Sequence, residues 1–181
     1  NKIWEKMHGM THMWGRRGVE TYAMSGIDIA LWDILGKVAN LPVYKMLGAH
    51  KTQIRAYYAP SLKDVGSIVK ECAQGVEKGF TAFKLRVGFD LEKDKEIVRE
   101  VRHAVGDHVD LMVDANMAYD RRTALEMARF LEDQSVFWFE EPIQSKSISQ
   151  YTEDHKWLND RVRINLAGGE SLLTRYEFID V

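Results

Sequence analysis

Four polar residues that could do chemistry together are spaced almost evenly along the chain. Lys84, Asp114, Glu140 and Glu170 lie 30, 26 and 30 residues apart, and each stands in or just after a short apolar run. An interval of about 30 residues is the length of one strand–helix–strand unit. If successive strands lie side by side and parallel, their carboxyl ends share one edge of the sheet. We therefore expect these four side chains to meet at that edge.

Three of the four residues are acids, and carboxylates that meet at one point repel each other unless a cation lies among them. Asp114, Glu140 and Glu170 offer the hard oxygen ligands that Mg²⁺ prefers. Mn²⁺ would also fit, whereas zinc is less suited because no Cys or His accompanies the acids. Gly168 and Gly169 permit a tight bend that brings Glu170 inward. Although three unrelated surface acids are the alternative, the shared position at strand ends predicts a magnesium site.

Two cationic residues, Lys84 and Arg86, are expected on the same face of one strand because side chains alternate along a strand. They could balance the carboxylates, orient an anionic substrate or stabilise a developing negative charge. A purely structural ion-pair network is the alternative. Arg86 is a poor general base because arginine stays protonated, whereas Arg86 and a metal could lower the pKa of Lys84. We predict both as catalytic residues.

Two further residues are candidates for substrate binding. Asn116 follows Asp114 by two positions and should point the same way, so it could reach the metal's water or the substrate. Glu141 points away from Glu140 in a regular strand, but the bend that Pro142 introduces could bring it behind the metal ligands or to the substrate. Pairing of Glu141 with a basic residue is the alternative.

The elements that would position these residues alternate regularly from residue 53 onward. Strands are predicted at Gln53–Tyr58, Thr81–Val87, Val109–Val113, Val136–Phe139 and Arg163–Leu166. Helices are predicted at Lys63–Lys78, Leu91–Val105 with Asp90 as its cap, Arg121–Leu131 with Asp120 as its cap, about Ser147–Leu158, and from Thr174 onward. Five consecutive strand–helix units with short connections are typical of a parallel sheet.

The polar positions of these strands share one face and the apolar positions the other, which favours a barrel interior over an open sheet with helices on both faces. A complete barrel of eight units needs about 250 residues, and residues 51–181 supply only about half of that. The predicted fold class is therefore α/β, an incomplete TIM-type barrel of about five strand–helix units.

The first 50 residues follow a different pattern, with helices and no strand. A helix is predicted over residues 19–38, because one face repeats apolar side chains at helical spacing: Ala23, Ile27, Ala30, Leu31, Ile34, Leu35 and Val38. Asn40 and Pro42 end it, and a short apolar turn follows at Val43–Leu47. We therefore predict two domains, residues 1–50 and residues 51–181.

The bulk composition excludes several classes of protein. The chain has 181 residues, a net charge of −2, 45% apolar and 29% charged residues, which fits a soluble globular protein and gives no reason to expect nucleic acid or membrane as partner. No stretch approaches the length of a membrane span, and no signal-peptide pattern is present at the N-terminus. Cys72 is the one cysteine and is expected to be a buried, inert thiol. We expect a cytoplasmic protein.

Four short segments carry a resemblance to a known family: Lys84-Leu85-Arg86, Val113-Asp114-Ala115-Asn116, Phe139-Glu140-Glu141-Pro142 and Gly168-Gly169-Glu170. In this order they resemble the enolase superfamily, in its mandelate racemase and muconate lactonizing branch. The stretch Gly26–Asp33 also resembles the helix that joins the capping domain of that family to its barrel. The resemblance extends from about residue 19 to residue 181.

This resemblance implies an α+β capping domain above a modified (β/α) barrel, with residues 1–50 as the C-terminal helical part of the cap and connector. It implies that Asp114, Glu140 and Glu170 bind Mg²⁺, which in turn binds a substrate carboxylate. A base would then remove the proton alpha to that carboxylate, and the metal and cationic residues would stabilise the enediolate. A Lys or His base with Mg²⁺ is the general pattern of the superfamily.

Two departures from the family pattern affect the choice of reaction. Many members carry Lys-x-Lys on the strand of Lys84, with the second lysine as a base, and Arg86 stands at that position here. Racemisation by two opposed bases is therefore disfavoured. The family's His–Asp pair belongs on later strands than this chain contains, and we expect the missing histidine to be the base. This favours dehydration of a sugar acid, in which a beta hydroxyl leaves after the alpha proton.

Three alternatives stay open at this point. A racemase or epimerase of a carboxylate substrate comes next in the same family. Glu140 and Glu170 could instead be the acid and nucleophile of a retaining glycosidase, which would work without a metal. The chain could also be an inactive fragment that lacks the distal base. We expect a small-molecule sugar acid as the partner, and a homo-oligomer, because an open sheet edge favours self-association.

Overall fold

The computed structural model describes residues 2–15 and 17–181, and the backbone divides into two compact units. One unit comprises the chain up to Ile54 together with Ser171–Ile179, and the other comprises Arg55–Glu170 with Asp180 and Val181. In chain order the elements are α1 (Lys2–Met10), α2 (Val19–Ala39), α3 (Val43–Met46), α4 (Val65–Glu77), β1 (Ala82–Arg86), α5 (Leu91–Val105), β2 (Asp110–Asp114), α6 (Arg121–Asp133), β3 (Trp138–Glu140), α7 (Ile148–Asn159), β4 (Asn165–Ala167) and α8 (Arg175–Asp180).

The helices of the second unit begin where their sequence supplies a cap. The side chains of Asp64, Asp90, Asp120 and Ser147 accept a hydrogen bond from the main-chain N–H three residues later, at the starts of α4, α5, α6 and α7. Such caps satisfy donors that have no partner within the helix. The predicted caps Asp90 and Asp120 are thus confirmed. The predicted ends of the helices agree with the structure to within two residues.

The sheet has four parallel strands in the order β1-β2-β3-β4. Arg86 pairs with Asp114, Asp114 with Glu140 and Glu140 with Ala167, so these residues form one row across the sheet. A second row, two residues earlier along each strand, contains Lys84, Met112, Trp138 and Asn165. The register therefore places the polar ends of three strands side by side.

The opposite face of the sheet makes the core. Phe83, Leu85, Leu111, Val113 and Phe139 are at most 1% exposed. They pack with buried residues of the helices, among them Cys72, Val98, Val101, Met127, Leu131 and Leu158. Burial raises the pKa of the Cys72 thiol to about 12, and the prediction of an inert buried cysteine is confirmed. The α/β class with a parallel sheet is likewise confirmed.

The predicted strand at Gln53–Tyr58 is wrong. Only Tyr58 pairs with the sheet, through an isolated parallel bridge to Phe83 in which Tyr58 N donates to Ala82 O and Lys84 N donates to Tyr58 O. Ile54 is 92% exposed, so the alternating pattern of this segment is not used to bury one face. The described residues therefore form four strands rather than five, and the sheet stays open.

Helix α2 is confirmed, but its apolar face is not covered by the described part of the chain. Ile27, Ile34, Leu35 and Val38 are between 49% and 80% exposed. The buried positions of α2 are instead Thr21, Met24 and Gly36.

None of the helices in the described part of the chain combines the length and the hydrophobicity that a membrane span requires.

Arg102, on α5, ties the entries of β2 and β3 together. Its guanidinium donates at 2.7–3.1 Å to the main-chain carbonyl oxygens of Gly106 and Val109, before β2, and of Gln134 and Ser135, before β3. Arg102 is only 8% exposed. A single buried cation therefore satisfies four carbonyl groups and holds two adjacent strand entries in register.

Replacing Arg102 by Met should lower the free energy of unfolding by about 2–3 kcal/mol, because four carbonyls lose their donor while the space stays filled. Urea denaturation followed by circular dichroism measures this loss. Arg129→Met, at an exposed position of α6, is the matched control and should change stability by less than about 0.5 kcal/mol. Equal effects of the two substitutions would contradict the role assigned to Arg102.

Candidate active site

Lys84 lies between two of the predicted metal ligands. Its ammonium Nζ donates to Asp114 Oδ2 at 3.0 Å and to Glu140 Oε2 at 3.1 Å. The three side chains are 18%, 4% and 16% exposed, so the cluster is largely shielded from water. Charges that are desolvated in this way interact more strongly than surface ion pairs do. Two strand-end carboxylates therefore already share one cation.

Burial and the two neighbouring acids act in opposite directions on the pKa of Lys84. Burial acts to lower this pKa, but the hydrogen bonds and charges of Asp114 and Glu140 outweigh burial, so the net pKa is raised. The lowering of this pKa that the sequence predicted depends on a bound metal as well as on Arg86, and it stays a prediction. Arg86 lies further away, with Nη1 3.7 Å from Asp114 Oδ1. With these partners Lys84 is held as an ammonium and serves as a counter-charge.

Asn116 links the third acid to the first. Its main-chain N–H donates to Asp114 Oδ1 at 2.9 Å, and its side-chain Nδ2 donates to Glu170 Oε1 at 3.0 Å. Asn116 and Met117 both have positive φ, 46° and 59°, which costs energy for residues other than glycine. Met117 N donates to Glu141 O at 2.7 Å, which helps to hold this turn. The strained turn thus aims the Asn116 amide at Glu170.

Glu170 follows the last strand after a turn that contains the two predicted glycines. β4 ends at Ala167, and Gly168 and Gly169 lead from there to Glu170, which is exposed. Gly169 has φ 107°, a conformation suited to glycine, and a Cβ atom at position 168 would overlap Tyr151 Oη. Both glycines are therefore required by the path of this turn.

The three acids do not form a closed ligand shell. Among the residues that the structure describes, no group of three or more His, Cys, Asp or Glu side chains lies close enough to hold a metal ion. Asp114 and Glu140 meet at Lys84, while Glu170 is held one step away by Asn116. The chemistry of the donor set nevertheless suits a hard cation, since two of its carboxylates already converge on a positive charge.

Glu141 is turned away from the open face. It is 1% exposed, has φ 41°, and its Oε1 has no hydrogen-bond partner among the described residues. Burial raises the pKa of Glu141, and the charges of Glu170, Asp114 and Glu140 raise it further. The four carboxylates are therefore close enough to interact electrostatically. The substrate contact that the sequence suggested for Glu141 stays a prediction, and no basic partner is present among its described contacts.

Two aromatic residues that were not predicted from the sequence lie next to Glu140 and Lys84. Trp138 Nε1 donates to Glu140 Oε2 at 3.2 Å. The Tyr57 ring meets the Trp138 ring edge-on at 6.2 Å, and Lys84 Nζ lies 5.8 Å from the centre of the Tyr57 ring. The signal for Trp138 was available, because a residue two positions before Glu140 shares its strand face. Tyr57 lies outside the named strands, so its position depended on the tertiary structure.

Replacing Lys84 by Met should lower the free energy of unfolding by about 2 kcal/mol in buffer with a chelator at neutral pH, since two shielded carboxylates lose their shared cation. Urea denaturation of both forms provides the measurement. Lys95→Met is a matched control: Lys95 also bridges two acids, Glu92 and Glu126, but those acids are 79% and 53% exposed. Its loss should stay below about 1 kcal/mol. A Lys84 variant no less stable than the Lys95 variant would contradict the electrostatic interpretation.

Known proteins share both the sequence and the fold of this chain. Residues 67–181 match the family model described as enolase C-terminal domain-like, and residues 1–48 match that of the mandelate racemase and muconate lactonizing enzyme N-terminal domain. An arabinonate dehydratase from Saccharolobus solfataricus is 39% identical over 99% of this chain and 48% of its own length. A D-galactarolactone cycloisomerase from Agrobacterium fabrum is 35% identical over 97% of this chain and 47% of its own length.

A solved structure agrees with these matches. The crystal structure of a racemase from Streptomyces coelicolor with bound magnesium superposes with a TM-score of 0.89, at 33% identity, and the match covers 99% of this chain and 50% of that one. The chain thus spans about half the length of the curated relatives it matches. Because a family model covers more than half of the residues and the fold agrees, the chain belongs to the mandelate racemase and muconate lactonizing enzyme family of the enolase superfamily.

Proposed function

We propose that this chain contributes the metal-binding part of an enzyme that removes the proton alpha to a carboxylate, most simply in the dehydration of a sugar acid. The observation that carries the proposal is that Asp114 and Glu140 both accept a hydrogen bond from the Lys84 ammonium. Asn116 in turn donates to both Asp114 and Glu170. Relatives named as a dehydratase, a cycloisomerase and a racemase support a reaction of this general type.

In this proposal Asp114, Glu140 and Glu170 hold Mg²⁺. The solved relative from Streptomyces coelicolor has bound magnesium, and carboxylate oxygens are the ligands that Mg²⁺ prefers. When bound, the ion would supply a divalent positive charge that favours the enediolate form of the substrate. The domain assignment is part of the same proposal: residues 1–50 belong to the capping domain and connector, and residues 51–181 to the barrel.

The cationic residues would bind the substrate and stabilise negative charge. Lys84 and Arg86 lie on the same strand face as the acids, and the Arg86 side chain is 37% exposed, so its guanidinium is accessible to a carboxylate. Asn116 is exposed at the same edge and is a candidate for a substrate hydroxyl. Glu141, which is buried, would support the metal ligands from behind or contact the substrate.

Dehydration is favoured over racemisation by the identity of residue 86. Two-base racemisation needs a group on each face of the substrate that can lose and regain a proton, and an arginine side chain is not such a group. In dehydration a base takes the C2 proton, and the electrons of the C–H bond form the enediolate. The C3–O bond then breaks as the hydroxyl takes a proton, supplied by the protonated base, and leaves as water. The resulting enol becomes a 2-keto-3-deoxy acid. A racemase or epimerase is the alternative, and the relatives include a racemase.

Titration of Mg²⁺ into the protein by calorimetry tests the metal site. Asp114→Asn should weaken binding by about tenfold or more, because removing a ligand should cost at least as much as removing a supporting contact. Asp110→Asn is the matched control, since Asp110 lies on the same strand but at its opposite end, paired with Arg55. It should leave the affinity unchanged. Equal binding by wild type and the Asp114 variant would remove the metal role.

A panel of aldonic and aldaric acids tests the reaction, with the protein at its native length beside the 181-residue chain. Dehydration should yield a keto acid that reacts with semicarbazide, and chelator should abolish it. A change in optical rotation without keto acid would instead show racemisation or epimerisation. Activity that persists in chelator would contradict the magnesium proposal.

We further expect a homo-oligomer, because Ile34, Leu35 and Val38 expose apolar surface.

A further inference from the structure

We propose that Trp138 is a positioning residue, whose indole N–H fixes the carboxylate of Glu140 so that only one of its oxygens is left for a metal ion. This inference rests on the proposed function, and it concerns a residue to which no role has been assigned above. It depends on three observations: the bond from Trp138 to Glu140, the packing that holds the indole, and the sharing of one carboxylate oxygen by two donors.

The bond follows from the geometry of β3. Trp138 and Glu140 are the first and last residues of this three-residue strand, so their side chains share one face of the sheet. Nε1 of Trp138 donates to Oε2 of Glu140 at 3.2 Å. Indole nitrogen is a donor only, so the direction of this hydrogen bond is unambiguous. A carboxylate that accepts from a fixed donor loses rotational freedom.

The indole is itself held by its neighbours. Tyr57 meets it edge-on, with ring centres 6.2 Å apart and planes at 84°, and Phe137 lies 5.6 Å away at 48°. Within its row the Trp138 backbone pairs with Met112 on one side and Asn165 on the other. Edge-to-face contacts between aromatic rings favour a defined orientation. The indole N–H is therefore presented to Glu140 from a restricted position.

The two donors to Glu140 act on the same oxygen. Lys84 Nζ also donates to Oε2, at 3.1 Å, whereas Oε1 accepts no hydrogen bond from the part of the chain that the structure describes. Lys84 alone could follow either oxygen, because its long side chain and three N–H groups adapt. The indole cannot follow in this way. Trp138 thus decides which oxygen of Glu140 is engaged and which one stays available.

A supporting contact of this kind affects metal affinity through its ligand. Groups that orient a metal ligand typically change affinity by about 10–100-fold when removed. Trp138→Phe keeps a large aromatic ring against Tyr57 and removes only the N–H donor and part of the indole. We expect this variant to bind Mg²⁺ about tenfold more weakly than wild type by calorimetry.

Trp157→Phe is the matched control. It makes the same substitution in the same unit, on α7, where the indole packs against the guanidinium groups of Arg121 and Arg161. Its Mg²⁺ affinity should equal that of wild type. If Asp114→Asn binds Mg²⁺ at least about tenfold more weakly than wild type, but Trp138→Phe binds as wild type does, the proposed function stands and the role of Trp138 is overturned. If wild type binds no Mg²⁺, both proposals fall.

A second measurement needs no metal. The chain has five tryptophans, so a ¹H–¹⁵N spectrum in chelator should show five indole N–H signals. Glu140→Gln replaces a charged acceptor by a neutral one, and charge-assisted hydrogen bonds are the stronger ones. One indole proton signal should therefore move upfield, by more than any other, and Trp138→Phe should remove that same signal. Five unchanged signals in Glu140→Gln would overturn the proposed bond.

Discussion

Repulsion between carboxylates at neighbouring strand ends is the constraint on which the site depends. Asp114 and Glu140 are direct partners in the parallel register, so their side chains emerge beside each other on one face. Their negative charges can remain together in a shielded place only with a compensating positive charge. Lys84, one row below and on the adjacent strand, supplies it. This concentration of negative charge raises the pKa of Lys84, and it adds to burial, the larger cause, in raising the pKa of Glu141.

The surrounding fold maintains this arrangement by fixing the register from outside the site. Arg102 joins the carbonyls before β2 to those before β3, so the row of polar residues depends on a side chain at the far end of the strands. At the near end, Asn116 and Met117 form a turn with unfavourable positive φ angles. In this conformation Asn116 donates one hydrogen bond to Asp114 and one to Glu170. Energy stored in such a turn is often associated with a functional site.

The acids and the cationic residues beside them have separate roles in the proposed function. The relatives include proteins named as a dehydratase, a cycloisomerase and a racemase. In this chain the proposed metal ligands are the three acids Asp114, Glu140 and Glu170. Beside these acids the chain carries the cationic residue Arg86, and the aromatic pair Tyr57 and Trp138 lies next to Lys84 and Glu140. An arginine binds a planar carboxylate well but does not exchange a proton. This is the physical reason for preferring dehydration.

The sequence by itself determined the α/β class, the parallel strands, the helix caps Asp90 and Asp120, and the family, because each depends on local patterns: alternation along a strand, a cap three residues before an N–H, a repeat of about 30 residues. It also selected Lys84, Asp114 and Glu140, which the register brings together. Only the tertiary structure decided that Gln53–Tyr58 is not a strand, that Glu170 is held by Asn116 rather than at Lys84 with the other two acids, and that Tyr57 lies next to Lys84 and Trp138. Those outcomes depend on contacts between residues far apart in the chain, and a pattern along one segment contains no information about what its distant neighbours will bury, donate or repel.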